Sequence, residues 1–211
     1  RGTITTGYLA GHAKAARFPL SPSASLYPAE MAETLASPSL AATLENAGVT
    51  DSRPRTLTIL VSESDSFKVS IADYLSRTLS GGALTIKVRA LPWNDYLTAL
   101  QNGNFDLYLG EVRLTADWDI SPLVRTGGAL NYGGISTGTY ADVISAYLAA
   151  PDTGRAAACR TMLQTISDTA PIVPICFEKH CLYVHRGAVG GFSPTKYNIF
   201  RNITDWKISQ A

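Results

Sequence analysis

Thr56-Leu57-Thr58-Ile59-Leu60-Val61 is the stretch on which the fold turns. It is apolar, β-branched and bounded by polar residues, so it reads as a strand. Ser64 or Asp65 can cap a helix running on to about Ser80, with Phe67, Ile71, Tyr74, Leu75 and Leu79 at helical spacing. Gly81-Gly82 ends that helix, and Leu84-Thr85-Ile86-Lys87-Val88-Arg89 alternates as a second strand. Pro92 opens another helix, with Tyr96, Leu97 and Leu100 on one face and a stop near Gly103. Phe105 to Gly110 reads as the third strand. A β-α-β-α-β run with short connections predicts an α/β fold with parallel neighbours and right-handed crossovers. Such sheets hold ligands just beyond the carboxyl ends of their strands. The loop after the third strand, residues 111–120, is therefore the first place to look for a site.

Outward from this core the signals weaken. Residues 1–27 are rich in Gly, Ala, Ser and Pro and read as an extended segment laid over the surface. Short helices are expected over Pro28–Leu35 and Ser39–Ala47, with Gly48 as C-terminal cap and residues 49–55 as a linker. A short helix follows near Ser121–Arg125, and the five glycines within 127–139 suggest a long ordered loop. Helices are expected over Tyr140–Ala149 and Gly154–Thr169, then strands over Ile172–Phe177 and His180–His185, and a glycine-rich tail with scattered aromatics.

Composition narrows the function. The chain has 211 residues, 45% of them hydrophobic, and a net charge of +1. That balance gives no electrostatic reason to expect nucleic acid as a partner. No apolar run reaches the roughly 18 residues of a membrane span. Arg1 is not a natural start, so the expectation is a mature fragment or excised domain.

The loop carries Asp117 and Asp119 with Trp118 between them. Ligand binding, turn formation and, least of all, acid–base catalysis are open to such a pair. Cys176, His180, Cys181 and His185 match no standard zinc spacing, and no metal or cofactor is expected. Cys159 reads as a separate thiol. Ser62, Ser64 and Ser66 follow the first strand without a Gly-x-Ser-x-Gly elbow, so helix capping is their simpler role. The glycines at 127–138 lack a phosphate-cradling spacing.

Four blocks together resemble the second lobe of the family 5 solute-binding proteins, the oligopeptide, dipeptide and nickel receptors of bacterial ABC importers. They are Arg1 to Pro22, with its Gly-x-Ala and proline-rich stretch; Leu57–Val61 followed by Leu84–Leu91, Trp93, Tyr96 and Leu100; Gly103-Asn104-Phe105-Asp106-Leu107; and Ala170-Pro171-Ile172-Val173-Pro174-Ile175. The resemblance implies a periplasmic-binding-protein-like (type II) lobe, with a partly parallel sheet flanked by helices. Residues 1–211 would form that single lobe: a lead-in over 1–55, the core over 56–110, cleft loops over 111–139, helices over 140–170 and returning strands over 171–211. The other lobe, carrying the secretion signal and in many members a lipid anchor, would lie outside this sequence.

The resemblance also implies a role for the loop. In peptide-binding members a Trp-x-x-Asp here holds the peptide, its aspartate pairing with the α-ammonium. Asp117 occupies that position, Leu114 stands where the Trp would be, and Trp118 follows the aspartate. The candidate ligand-binding set is Leu114, Thr115, Asp117, Trp118, Asp119 and Tyr132. The implied function is non-enzymatic: capture of a small solute, with a peptide foremost, and delivery to ABC permease subunits from the outer face of the membrane or the periplasm. The alternatives are a small hydrolase or transferase using Asp117 and Asp119, or a ligand-sensing module of a signalling protein.

Overall fold

The computed structural model describes residues 1–35, 39–136, 138–180, 182–195 and 197–209. A turn of π-helix, Ile4–Tyr8, leads to β1 (Ala13–Ala15), α1 (Ala29–Thr34) and α2 (Leu40–Asn46). The central run is β2 (Arg55–Ser62), α3 (Ser66–Leu79), β3 (Leu84–Leu91), α4 (Trp93–Gln101) and β4 (Leu107–Tyr108). Then come α5 (Ser121–Val124), α6 (Gly138–Ala149), α7 (Asp152–Thr169), β5 (Cys176–Glu178), β6 (Val189–Gly190), a 3-10 turn at Ile203–Asp205 and β7 (Lys207–Ile208).

The main sheet has the order β3-β2-β4, all parallel, as the β-α-β-α-β pattern requires. β2 pairs with β3 along its whole length, Arg55 opposite Leu84 and Ser62 opposite Leu91. Side chains of a strand alternate between faces, and the clusters follow that rule. Ile59 and Val61 pack with Ala72 of α3 and with Leu84 and Ile86. Leu60 packs with Tyr96, Ala99 and Leu100 of α4. The two helices thus cover opposite faces, and β2 is apolar on both sides because it is central.

β4 is shorter than the Phe105–Gly110 strand expected from sequence. Its ladder begins at Ile59 opposite Leu107. One residue earlier, the Asp106 carboxylate takes the place of a backbone acceptor: the Thr58 N–H donates to Asp106 Oδ2 at 2.7 Å.

A second, larger core contains no residue of that sheet. Phe18, Leu20, Ile120, Tyr147, Met162 and Leu163 are among its most buried members, drawn from the N-terminal segment, the loop after β4 and helices α6 and α7. This corrects the expectation that residues 1–27 lie over the surface, since Phe18 and Leu20 are fully buried. Each such side chain contributes about 1.5–3 kcal/mol of burial free energy. Ile4, Leu9 and Ala13 pack with Ile71 of α3 in a further cluster that shares Leu75 and Leu109 with that of the sheet.

The C-terminal strands also depart from expectation. The Ile172–Phe177 strand shifts and shrinks to Cys176–Glu178, paired antiparallel with β1. Among the described residues of the expected His180–His185 strand there is no strand. Leu182, Tyr183 and Val184 are exposed, so the segment has apolar side chains but no neighbouring ladder to satisfy its backbone. Cys181 lies outside the described residues.

A candidate ligand-binding edge of the sheet

Because β2, β3 and β4 are parallel, their carboxyl ends share one edge of the sheet. Ser62, Leu91 and Tyr108 end the three strands there. The sequence-level capping role goes to Asp65, whose Oδ1 accepts from the Phe67 N–H at 3.1 Å and the Lys68 N–H at 3.0 Å. Ser62 is buried, and its hydroxyl accepts from the Ser64 N–H at 3.4 Å. The Lys68 ammonium donates to Asp65 at 2.5 Å and to Glu111, at the start of the candidate loop, at 2.8 Å. Burial works against both charges. The Lys68–Asp65 hydrogen bond nevertheless holds the Asp65 carboxyl below its ordinary range, and the bonds to Asp65 and Glu111 hold Lys68 above its own.

An aromatic group lines the same edge. Trp93 is half exposed and stacks on Tyr96, with centroids 5.7 Å apart. Tyr108 meets Phe105 and Tyr132 edge-on at 5.1 and 6.1 Å. The Tyr96 hydroxyl donates to the Leu109 carbonyl at 3.2 Å. Burial, with a smaller contribution from Tyr108, pushes its pKa up to about 12. Asn131 fixes the neighbouring loop: its amide donates to the carbonyls of Arg125 and Ile135, and its oxygen accepts from the Ile135 N–H. Gly128 is required in that loop, because a Cβ there would lie 2.5 Å from the Pro122 carbonyl oxygen.

The six sequence-derived residues take different places. Asp117 is exposed, and among the described residues no hydrogen bond or salt bridge engages its carboxylate. Its backbone is fixed, because the buried Tyr147 hydroxyl donates to the Asp117 carbonyl at 2.7 Å. Burial, and secondarily Cys159, raises the pKa of that phenol, so it remains a donor. Trp118 sits at φ 60°, a left-handed conformation that costs a non-glycine residue about 1 kcal/mol. Its ring meets Phe177 edge-on at 5.6 Å, which anchors it.

Asp119 is half-buried, and its Oδ1 accepts from the Ser121 N–H at 2.8 Å, at the entry to α5. Thr115 shapes the turn: its carbonyl accepts from the Trp118 N–H and its hydroxyl from the Asp119 N–H. Leu114 is buried. Leu114 and Trp118 therefore belong with the large helical core, while Tyr132 packs with Tyr96 and Tyr108 beside the sheet. Sequence reasoning missed Tyr147, Asn131 and the Lys68–Glu111 pair. Tyr147 sits at a helical core spacing, Asn131 bonds only within its own loop, and Lys68 meets Glu111 43 residues away, so no motif marked any of them.

A groove of about 600 Å³ lies between α2 and the α3–β3 turn, lined by Leu40, Leu44, Val49, Leu79 and Gly81 among others. It is at the opposite end of the sheet, open and mainly apolar, with Glu45, Thr50, Asp51 and Ser80 also on its lining. Among the described residues, no three His, Cys, Asp or Glu side chains come together in a way that could hold a metal ion.

This architecture is α/β and periplasmic-binding-protein-like: a parallel sheet flanked by helices, with its polar and aromatic loops gathered at one edge. Solved structures of substrate-binding proteins share it. NikA from Staphylococcus aureus, in complex with Ni(L-His)2, matches with a TM-score of 0.72 at 16% identity, over 94% of this chain and 43% of that one. AppA from Bacillus subtilis, an oligopeptide-binding protein in complex with a nonapeptide, matches at 0.67 and 15%, over 99% and 45%. A periplasmic oligopeptide-binding protein from Thermotoga maritima, with mannohexaose bound, matches at 0.74 and 14%, over 100% and 47%. The chain thus spans less than half the length of each. At these identities the likeness establishes the fold. No family model matches the sequence, and neither does any curated protein. No described helix is long and apolar enough to cross a membrane.

Proposed function

We propose that this chain is one lobe of a family 5 solute-binding protein that captures a small solute bearing a cationic group, a peptide α-ammonium foremost, in a cleft closed by a second lobe. The receptor delivers its cargo to ABC permease subunits, working in the periplasm or, lipid-anchored, at the outer face of the membrane. The observation that carries this reading is the presentation of Asp117: an exposed carboxylate on a loop whose backbone is pinned from beneath by Tyr147.

The chemistry suits capture and release. An exposed carboxylate attracts an ammonium weakly while both are hydrated. Closure of a second lobe removes water and strengthens the attraction, provided hydrogen bonds satisfy both groups. Ligand then favours the closed state because both sets of contacts exist there. Trp118 and Tyr132 offer flat apolar walls. Leu114, Thr115 and Asp119 support the loop, and binding of this kind needs no catalytic group.

Calorimetry on the native-length protein tests the proposal, using a tripeptide series with free and N-acetylated amino ends. Asp117→Asn is expected to weaken binding of the free peptides by about tenfold or more. The acetylated peptides should be indifferent to the substitution. Equal affinities of wild type and variant for free peptides would reject the assignment of Asp117.

A further inference from the structure

Arg1 and Arg17 face one cavity of about 370 Å³, lined otherwise by Gly2, Ala15 and Ala16. Each guanidinium is fixed by one backbone carbonyl. Arg1 Nε donates to Pro174 at 2.8 Å and Arg17 Nη1 to Leu35 at 3.0 Å. A guanidinium carries five N–H donors, so most of each fork is left for another acceptor. Among the described residues no carboxylate forms a salt bridge with either arginine.

The frame around the pair is well fixed. Ala15 ends β1 opposite Cys176 of β5, and the Ala16 N–H donates to the Ile175 carbonyl at 3.0 Å. Arg17 is half-buried and stands between Ala16 and Phe18, both buried. Burial, and after it the neighbouring Arg17, lowers the pKa of Arg1. Two cations held on one cavity repel each other, and that repulsion costs free energy until an anion offsets it. Glycine and alanines on the wall leave room for a compact group between the forks. The planar fork of arginine matches the paired oxygens of a phosphate or carboxylate.

We propose that Arg1 and Arg17 form an oxyanion-binding site that takes a compact phosphate or carboxylate group. The group comes either from a free ion or from the acid end of a captured solute. The site does not rest on Asp117.

Calorimetry of the native-length protein with inorganic phosphate, at an ionic strength held constant with chloride, reads the site. Arg1→Gln and Arg17→Gln should each weaken phosphate binding about tenfold or more. Arg17→Lys, which keeps the charge without the fork, should fall between wild type and Arg17→Gln. Arg17 also holds the Leu35 carbonyl, so Ala15→Glu supplies a variant that leaves both arginines in place. Its carboxylate on the cavity wall should act as a built-in anion, abolishing phosphate binding while raising Tm. Tripeptides with free and amidated carboxyl ends identify the source. Amidation that weakens binding to wild type but not to Arg17→Gln marks the acid end of the solute. Indifference to amidation, with phosphate still bound, marks a free ion. Phosphate binding that survives Arg17→Gln and Ala15→Glu unchanged would overturn the site. So would a wild type that responds to neither phosphate nor amidation, whichever group then fills the cavity. Indifference of free peptides to Asp117→Asn, with phosphate still dependent on Arg17, would reject the assigned ammonium site and leave this one intact.

Discussion

Replacing Asp106 isolates one bond that joins the central strand to the chain leading into the candidate loop. Its Oδ2 accepts the Thr58 N–H at 2.7 Å, one position before the β2–β4 ladder begins. In Asp106→Ala that N–H loses a charged acceptor. A fully buried bond of this type is worth about 1.5–3 kcal/mol. Asp106 is exposed and water can take over part of its role, so the expected loss is about 1 kcal/mol, or a fall in Tm of roughly 2–4 °C for a chain of this size. Asp106→Asn keeps a neutral oxygen in place and should cost about half as much. Urea denaturation of the three proteins gives the energies, and exchange at the Thr58 amide locates them. The order should be wild type, Asn, Ala, with Thr58 exchange accelerating in that order. Equal losses for Asn and Ala with unchanged exchange at Thr58 would refute the bond's role.

Phe18→Ala should destabilise the chain by about 3–5 kcal/mol, the range for an aromatic removed from a packed core, whereas a residue lying on the surface would cost well under 1 kcal/mol; chemical denaturation separates these outcomes. Asp65→Ala should cost about 1 kcal/mol as a lost helix cap. Because the folded-state pKa of Asp65 lies below its ordinary value, its ionised form stabilises the fold at pH above the unfolded-state value of about 3.9, and that contribution is lost as pH falls through the lower folded pKa. The stability gap between wild type and Asp65→Ala, followed by denaturation from pH 7 downward, should therefore narrow in the acid range, and a gap that widens on acidification would contradict the assignment.

The central α/β run was legible because each of its elements carries its own periodicity. Ile59, Leu60 and Val61 announce a strand buried on both faces, and Asp65 and Pro92 mark helix starts that the structure confirms. The N-terminal segment was not legible. Phe18 and Leu20 are buried by helices more than a hundred residues further on, and no local pattern encodes such a contact. The strand read at His180–His185 failed for the opposite reason: its composition is strand-like, but the described chain provides no partner ladder. At the candidate site, the position after the third strand pointed to the loop with Asp117 and Asp119, and the resemblance singled out Asp117. The distinction between an outward carboxylate at 117 and a turn-forming one at 119 depends on Thr115, Ser121 and Tyr147, and therefore on the folded loop.

The pairing of β1 with β5, Ala13 opposite Glu178, has a consequence for how the molecule is made. On a ribosome the first strand emerges long before its mate exists, and closing so wide a loop is slow. Phe18 and Leu20 lack their core partners until α6 and α7 have been translated.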